Sequence, residues 1–134
     1  MIDPKFIRNS PAKSSELAEL EQEVGVRLPS DYVAFLMESD GGEGEIGLNY
    51  VMLWRASEIA ELNRAYEVFD HVPGLLLFGS SGGGEAYAFD LRRPGYPIVR
   101  VPFVGMDLST ARDVADTFRG FVEALSASDR ERST

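Results

Sequence analysis

The stretch LLLFGSSGGGEAYAFDL, residues 75–91, decides the fold because it joins the most apolar run of the chain to its most glycine-rich run. Its first four residues are large and apolar, which is typical of a strand buried on both faces. Residues 86–91 form a second β-like run that contains Tyr87 and Phe89. The glycines between the two runs can adopt the positive φ angles that a tight reversal requires. The stretch therefore predicts a β-hairpin at the centre of a sheet.

The glycine-rich segment between the two runs matches phosphate-binding patterns only in part. Gly79 and Gly84 have the spacing of a P-loop, but Glu85 stands where that motif requires lysine, and its charge has the wrong sign. A dinucleotide-binding motif would need a helix directly after the glycines, whereas the following residues are β-like. A structural turn is the favoured interpretation, and a partner-binding loop or a ligand site are the alternatives. The residues that such a loop would offer to a partner are Ser80, Ser81 and Glu85.

A chain of 134 residues has the length of one domain and buries about two thirds of its unfolded surface. We expect a single domain over residues 1–134, with its core at 14–127 and tails at 1–13 and 126–134. The absence of cysteine excludes disulfides and thiolate metal sites. The start has no signal-peptide core, and no run approaches the roughly 20 apolar residues that a spanning helix needs. We therefore predict a cytoplasmic protein that does not bind membranes.

The net charge is −9, from 22 acidic and 13 basic side chains. Such a field repels the phosphates of nucleic acids and of anionic lipids. Direct binding to nucleic acid is therefore disfavoured. The same field would speed association with a basic protein, although many acidic proteins gain only solubility from their charge.

Residues 14–40 predict a helical hairpin. A serine at position 14 or 15 can cap the first helix, and Gly25 suits its C-terminal end. Pro29 suits the first position of the second helix, which ends at Gly41 and Gly42. The apolar residues with helical spacing are Leu17, Leu20 and Val24 in the first helix, and Tyr32, Phe35 and Leu36 in the second.

The segment ESDGGEGE, residues 38–45, follows this hairpin and is rich in carboxylates. Its acidic residues are Glu38, Asp40, Glu43 and Glu45. The pattern Asp-x-Asp-x-Asp-Gly of an EF-hand calcium loop is absent. A solvated, mobile loop is the favoured interpretation, and a surface for a basic partner or a weak cation site are the alternatives.

Residues 46–54 are mostly apolar and rich in β-formers, which predicts one strand or a short hairpin with Trp54 in the core. A helix capped by Ser57 should follow. Its apolar positions are Ile59, Leu62, Tyr66 and Phe69. His71, the one histidine of the sequence, follows this helix, which is typical of a C-terminal cap or a surface residue rather than a general base.

The last third of the chain is the least regular. Residues 96–104 are β-like but contain Pro97 and Pro102, so we expect an edge strand or two short pieces. Residues 105–115 permit two interpretations. Either the last helix starts after Ser109, or residues 108–114 are extended and Asp116 caps the helix. The apolar face of that helix consists of Phe118, Phe121, Val122 and Leu125.

Four stretches, in this order, resemble the SUKH superfamily, which includes fungal cell-wall assembly regulators and many bacterial immunity proteins against polymorphic toxins. They are LAELEQEVGVRLPSDYVAFLMESDGG, LWRASEIAELN, LLLFGSSGGGEAYAFDL and VADTFRGFVEAL, and they span roughly residues 14–127. The most specific part is Glu-x-x-x-Gly-x-x-Leu-Pro-x-Asp-Tyr-x-x-Phe-Leu, from Glu21 to Leu36. The resemblance implies an α+β fold, with a central, mostly antiparallel sheet of about four to six strands flanked by helices. This agrees with the order of elements above.

The resemblance also implies a protein-interaction module and, in bacteria, an antidote that binds a toxin. A toxin that attacks nucleic acid has a basic substrate groove, where an acidic surface can compete with phosphate. We therefore expect a protein partner with a basic surface, and make no prediction of oligomeric state. The expected partner contacts are Glu38, Asp40, Glu43, Glu45 and Glu85, with Ser80 and Ser81 beside them.

Two other classes of function compete with an antidote. The first is a regulatory or scaffolding module with an endogenous partner, as the fungal members of the superfamily suggest. The second is an enzyme, but one histidine, no cysteine and no recognised catalytic motif provide no assembled nucleophile and base. We therefore predict a binding protein without catalytic residues, a metal site or a cofactor.

Overall fold

One antiparallel sheet forms the centre of the molecule, and its strands lie side by side in the order of the sequence. The computed structural model describes residues 4–133, with side chains for residues 4–127. The strands of this part are β1 (Phe6–Arg8), β2 (Gly42–Ile46), β3 (Asn49–Leu53), β4 (Leu75–Ser80), β5 (Glu85–Asp90), β6 (Ile98–Pro102) and β7 (Arg112–Ala115). The helices are α1 (Ser14–Val24), α2 (Ser30–Glu38), α3 (Ala56–Ala65), α4 (Val68–His71) and α5 (Phe118–Ser133), with a 3-10 turn at Leu108–Thr110. The predicted α+β class is confirmed.

The sheet has seven strands in the described residues, more than the predicted four to six. Strand β1 lies in a segment predicted to be a tail, and β2 lies in the segment predicted to be a mobile loop. The glycines of β2 explain this error, because they permit close strand approach. A Cβ at Gly44 would lie 2.5 Å from the carbonyl oxygen of Lys5, and one at Gly42 would lie 2.8 Å from the ring of Phe6. These glycines therefore serve pairing with β1.

The central hairpin is confirmed as the pair β4 and β5. All six residues of Leu75–Ser80 are buried, as expected for a strand covered on both faces. The turn comprises residues 81–84, because Gly79 and Ser80 continue the strand. The two strands pair from Leu75 opposite Asp90 to Ser80 opposite Ala86, with a bulge between Leu77 and Gly79.

Each face of the sheet has its own hydrophobic core. The first core packs the sheet against α1, α2, α3 and α5. At its centre the rings of Phe78 and Phe89 stack with centroids 4.5 Å apart, and Tyr32 lies 4.9 Å from Phe89. The second core lies on the opposite face, where Val68 of α4 and Val72, which directly follows α4, contact the strands. The strand residues of the second core are Leu75, Leu77, Ala86, Ala88, Val99 and Val101.

A buried amide joins α3 to the sheet. Strand β3 pairs with β4 only at Gly79 and Ser80, so the backbone of Leu77 needs another partner. The side chain of Asn63 supplies it: its Nδ2 donates to the Leu77 carbonyl at 2.9 Å, and its Oδ1 accepts from the Leu77 N–H at 2.9 Å. Asn63 thus replaces the missing strand at this position. The apolar spacing that predicted this helix did not indicate it.

The predicted helical hairpin is confirmed as α1 and α2, with Gly25 in the left-handed conformation at the end of α1. The helix after Trp54 differs from its prediction. It starts at Ala56 and ends at Ala65, so Tyr66 and Phe69 lie beyond it and are exposed. Its buried residues are Ala56, Ile59, Ala60 and Asn63.

Strand β6 is neither an edge strand nor broken, because it pairs with β5 on one side and β7 on the other. Its prolines do not interrupt the pairing, since Pro97 precedes the strand and Pro102 is its last residue. After it, the extended interpretation is the closer one, with β7 followed by α5. Thr117 rather than Asp116 caps α5, because its Oγ1 accepts from the Gly120 N–H at 2.9 Å. Helix α5 also continues through residues 126–133, which were predicted as a frayed tail.

Candidate functional site

The outer face of β1, β2 and β3 is exposed, whereas their inner face packs on the first core. Cross-strand pairing places Ile7, Glu43 and Met52 in one row on this face, because Glu43 lies opposite both other residues. Glu45 and Tyr50 lie opposite each other in the next row. Since side chains alternate between faces along a strand, these five share one surface.

This surface is the floor of a groove of about 810 Å³. The start of α3 forms the second wall, with Arg55, Glu58 and Leu62, and Trp54 lies where the strands meet the helix. The groove arises because α3 begins just after β3 ends and then packs beside β4 through Asn63. The helix and the three strands therefore enclose an open cleft.

The floor of the groove is more apolar than an exposed sheet face requires. Ile7 is 69% exposed, Tyr50 45% and Met52 36%. Exposed apolar side chains that lie together are typical of surfaces that bind another molecule. We call this surface, formed by Ile7, Glu43, Glu45, Tyr50 and Met52, the groove floor.

The carboxylates of the groove are held in place by neighbouring side chains. The hydroxyl of Tyr50 donates to Glu43, and this hydrogen bond raises the pKa of the Tyr50 hydroxyl. Lys5 Nζ lies 3.5 Å from Glu45 Oε2. At the other wall, Glu58 Oε1 accepts from the Arg55 N–H at 3.0 Å. All of these groups are exposed, so a partner's cations can compete for the carboxylates at low cost.

The turn of the central hairpin lies against the groove floor. A Cβ added at Gly82 would lie 3.0 Å from the Tyr50 ring, and Gly82 has a φ of +75°. Both the conformation and the contact therefore favour glycine here. Two serines shape the turn: Ser80 Oγ accepts from the Gly82 N–H at 3.3 Å, and Ser81 Oγ accepts from the Gly83 N–H at 3.1 Å.

The structure brings together only some of the predicted contact residues. Glu43 and Glu45 lie in the groove floor, and Ser81 lies in the adjacent turn. Ser80 is buried and braces that turn. The other three, Glu38, Asp40 and Glu85, lie elsewhere. The predicted contact residues of segment 38–45 therefore do not share one surface.

Asp40 has a structural role in the folded chain. Its side chain is buried, and its Oδ1 accepts from the Ala56 N–H at 2.7 Å, at the first turn of α3. Burial raises the pKa of this carboxyl group, and the hydrogen bond from Ala56 opposes that effect. Asp40 thus caps a helix that starts 16 residues later.

Glu38 and Glu85 point to other surfaces. Glu38 borders a separate cleft of about 400 Å³ between α2 and α5, together with Phe35 and Arg119. Glu85 shares a face of β5 with Tyr87, which belongs to the first core, and lies 3.9 Å from Arg100. Met52 pairs with Ser80, and Ser80 pairs with Ala86, so Ala86 points to the same side of the sheet as the groove floor. Glu85 and Tyr87 flank Ala86 in the strand and therefore point to the other side.

Ile7, Tyr50 and Met52 were not predicted as site residues. Tyr50 and Met52 could have been identified from the sequence NYVML, residues 49–53. They alternate with the core residues Val51 and Leu53, so they point to the other face of the strand. Large apolar residues at the outward-facing positions of a strand indicate an exposed apolar face. Ile7 carried no such signal, since its strand was not predicted.

Among the described residues, no three side chains of histidine, aspartate or glutamate lie close enough to hold a metal ion. In the same part of the chain, none of the helices combines the length and the apolar character needed to cross a membrane.

A model of the SMI1 / KNR4 family (SUKH-1) matches residues 11–124. The uncharacterized protein YnaB of Bacillus subtilis (strain 168) is 33% identical to the chain over 93 residues. That alignment covers 69% of this chain and 60% of YnaB, so the chain matches less than two thirds of the relative's length. The family match includes β2 to β7 and the beginning of α5, whereas β1 lies before its first residue.

Proposed function

Since the chain belongs to the SMI1/KNR4 family (SUKH-1), we propose that it is a protein-binding module that acts as a bacterial immunity protein. It binds a cognate toxin and keeps that toxin from its substrate. Family membership supports an immunity or interaction role, and the groove supports a particular surface for it. The partner is a protein with a basic surface, and toxins that attack nucleic acid are the class that fits.

The observation that carries this proposal is the groove floor. Ile7, Tyr50 and Met52 expose apolar surface that a partner can cover, and Glu43 and Glu45 lie among them. Burying the apolar atoms contributes affinity, while the carboxylates select a partner with arginine or lysine at the matching positions. Protein interfaces are enriched in tyrosine and methionine, and they also contain direct hydrogen bonds between the partners.

The net charge of the chain also favours a basic partner. A net charge of −9 attracts a basic protein over a distance and raises the rate of encounter. A nuclease or a related toxin has a basic surface where it holds phosphates. An acidic protein seated there would exclude the nucleic acid without any catalysis of its own.

Growth rescue tests the proposed function. The chain is coexpressed with the toxin domain encoded next to its gene, and growth is compared with expression of the toxin domain alone. We expect the wild-type chain to restore growth. Failure to restore growth, when both proteins are present at comparable levels, would contradict an immunity role, and a stable complex without rescue would favour a regulatory or scaffolding module instead.

A further inference from the structure

A row of three aromatic side chains leads away from the groove floor. The rings of Trp54 and Tyr66 are nearly parallel, at 17°, with centroids 6.3 Å apart. The ring of Phe103 lies 4.9 Å beyond that of Tyr66. We call Trp54, Tyr66 and Phe103 the aromatic row. Because Trp54 also lines the groove, the row is continuous with the proposed binding surface.

The far end of the aromatic row opens into a small cleft of about 190 Å³. Tyr66 and Phe103 form part of its wall, together with His71, Gly105 and Met106. Tyr66 is 44% exposed, which is unusual for a tyrosine that contacts two other rings. The cleft has the size of one side chain and presents aromatic surface to solvent.

A carboxylate lies next to this cleft. Glu67 Oε2 lies 3.7 Å from Nε2 of His71, which lines the cleft. Glu67 also has a φ of +53°, a left-handed conformation that is uncommon for a residue other than glycine. The cleft therefore has an aromatic wall and a carboxylate at its edge.

We propose that the aromatic row binds an arginine side chain of the protein partner. A guanidinium group stacks on aromatic rings through its flat face and donates to carboxylates through its edge. Tyr66 and Phe103 supply the rings, and Glu67 supplies a carboxylate. A purely apolar side chain would use the rings but could not pair with the carboxylate of Glu67.

This inference rests on the proposed function, since it names one residue type that the partner contributes. A partner seated on the groove floor reaches Trp54 at the end of the groove, and its next contact along the same surface is Tyr66. Tryptophan and tyrosine are also enriched among the few interface residues that contribute most of the binding energy.

A short peptide tests the arginine site without the natural partner. The blocked peptide acetyl-Gly-Arg-Gly-amide is titrated against the whole chain, and the same peptide with citrulline, which is neutral and has nearly the same shape, serves as the control. The readout is the NMR signal of the Trp54 indole N–H, which is unique because the sequence has one tryptophan. We expect the arginine peptide to bind about fivefold more tightly than the citrulline peptide.

Variants of Tyr66 complete the test. Tyr66→Ala should remove the response to the arginine peptide, Tyr66→Phe should retain it, and Phe69→Ala, at an exposed aromatic residue outside the row, should leave it unchanged. Equal binding of the two peptides, or an unchanged response in Tyr66→Ala, would overturn the arginine site. If the arginine site fails but the wild-type chain rescues growth, the proposed immunity function is still supported. If the chain binds arginine but does not rescue growth, the immunity function is contradicted and the arginine site is supported.

Discussion

Replacing Asn63 with leucine is expected to lower the free energy of unfolding by about 2–6 kcal/mol, since two buried backbone groups lose their partners at about 1–3 kcal/mol each. The two groups are the N–H and the carbonyl of Leu77, which both bond the Asn63 amide at 2.9 Å. Leucine has the same branching and number of side-chain heavy atoms as asparagine but cannot form either hydrogen bond. Small domains have a total stability of about 5–15 kcal/mol, so this loss is large.

Urea unfolding of the wild type and Asn63→Leu measures this effect. Glu61→Leu is the matched control, because it adds a leucine to an exposed position of the same helix and should change stability by less than about 0.5 kcal/mol. If Asn63→Leu unfolded at the urea concentration of the wild type, Asn63 would not be replacing a strand at the edge of β4.

The second large effect is expected at Asp90. This side chain is buried beside the central hairpin, and its two oxygens accept from Arg92 Nε at 2.9 Å and Arg93 Nε at 2.9 Å. Its Oδ1 also accepts from the Arg92 backbone N–H at 3.1 Å. Asp90→Ala removes all of these bonds, and we expect a loss of about 2–3 kcal/mol at neutral pH.

The stability difference at Asp90 should depend on pH. The hydrogen bond from the Arg92 side chain, supported by that from Arg93, holds the pKa of Asp90 below its ordinary value of 3.8. A lowered pKa in the folded state means that the stabilisation is complete above 3.8 and is lost as the pH falls through the folded-state pKa. The difference between wild type and Asp90→Ala should therefore narrow below about pH 3.8.

Urea unfolding at neutral pH and below pH 3.8 measures this dependence. Other titrating groups, such as Asp40, are common to both proteins and cancel in the difference. Asp113→Asn is the control, because Asp113 also pairs with Arg93 but its side chain is 72% exposed. It should cost less than about 1 kcal/mol. A difference between wild type and Asp90→Ala that stayed constant across this pH range would contradict the ionic role of Asp90.

The central hairpin and the helical hairpin could be predicted because their signals are local. Residues 75–78 are apolar without interruption, and Gly25 ends α1 through its own left-handed conformation. Strand β2 could not be predicted in this way. Its glycines look like loop residues until β1 lies beside them, and that contact joins residues almost 40 positions apart, such as Phe6 and Gly44.

The candidate site was only partly predictable for the same reason. Acidic composition pointed to Glu43 and Glu45, which lie in the groove floor, but also to Asp40, whose partner at Ala56 lies on another element. Composition records how many carboxylates a segment has, whereas strand parity decides which of them face solvent. The three-strand pairing that joins Ile7 to Met52 through Glu43 is visible only in the folded chain.

Calorimetric titration of the purified toxin domain into groove variants tests most directly the claim that the groove floor is the binding surface. Met52→Glu should weaken the affinity by about tenfold or more, while Met37→Glu, at another exposed methionine on α2, should stay within about twofold of the wild type. Reversing the charges of Glu43 and Glu45 should also weaken binding at low salt, whereas Glu38→Lys should not. Wild-type affinity in Met52→Glu, or an equal loss in Met37→Glu, would contradict the assignment of the groove floor.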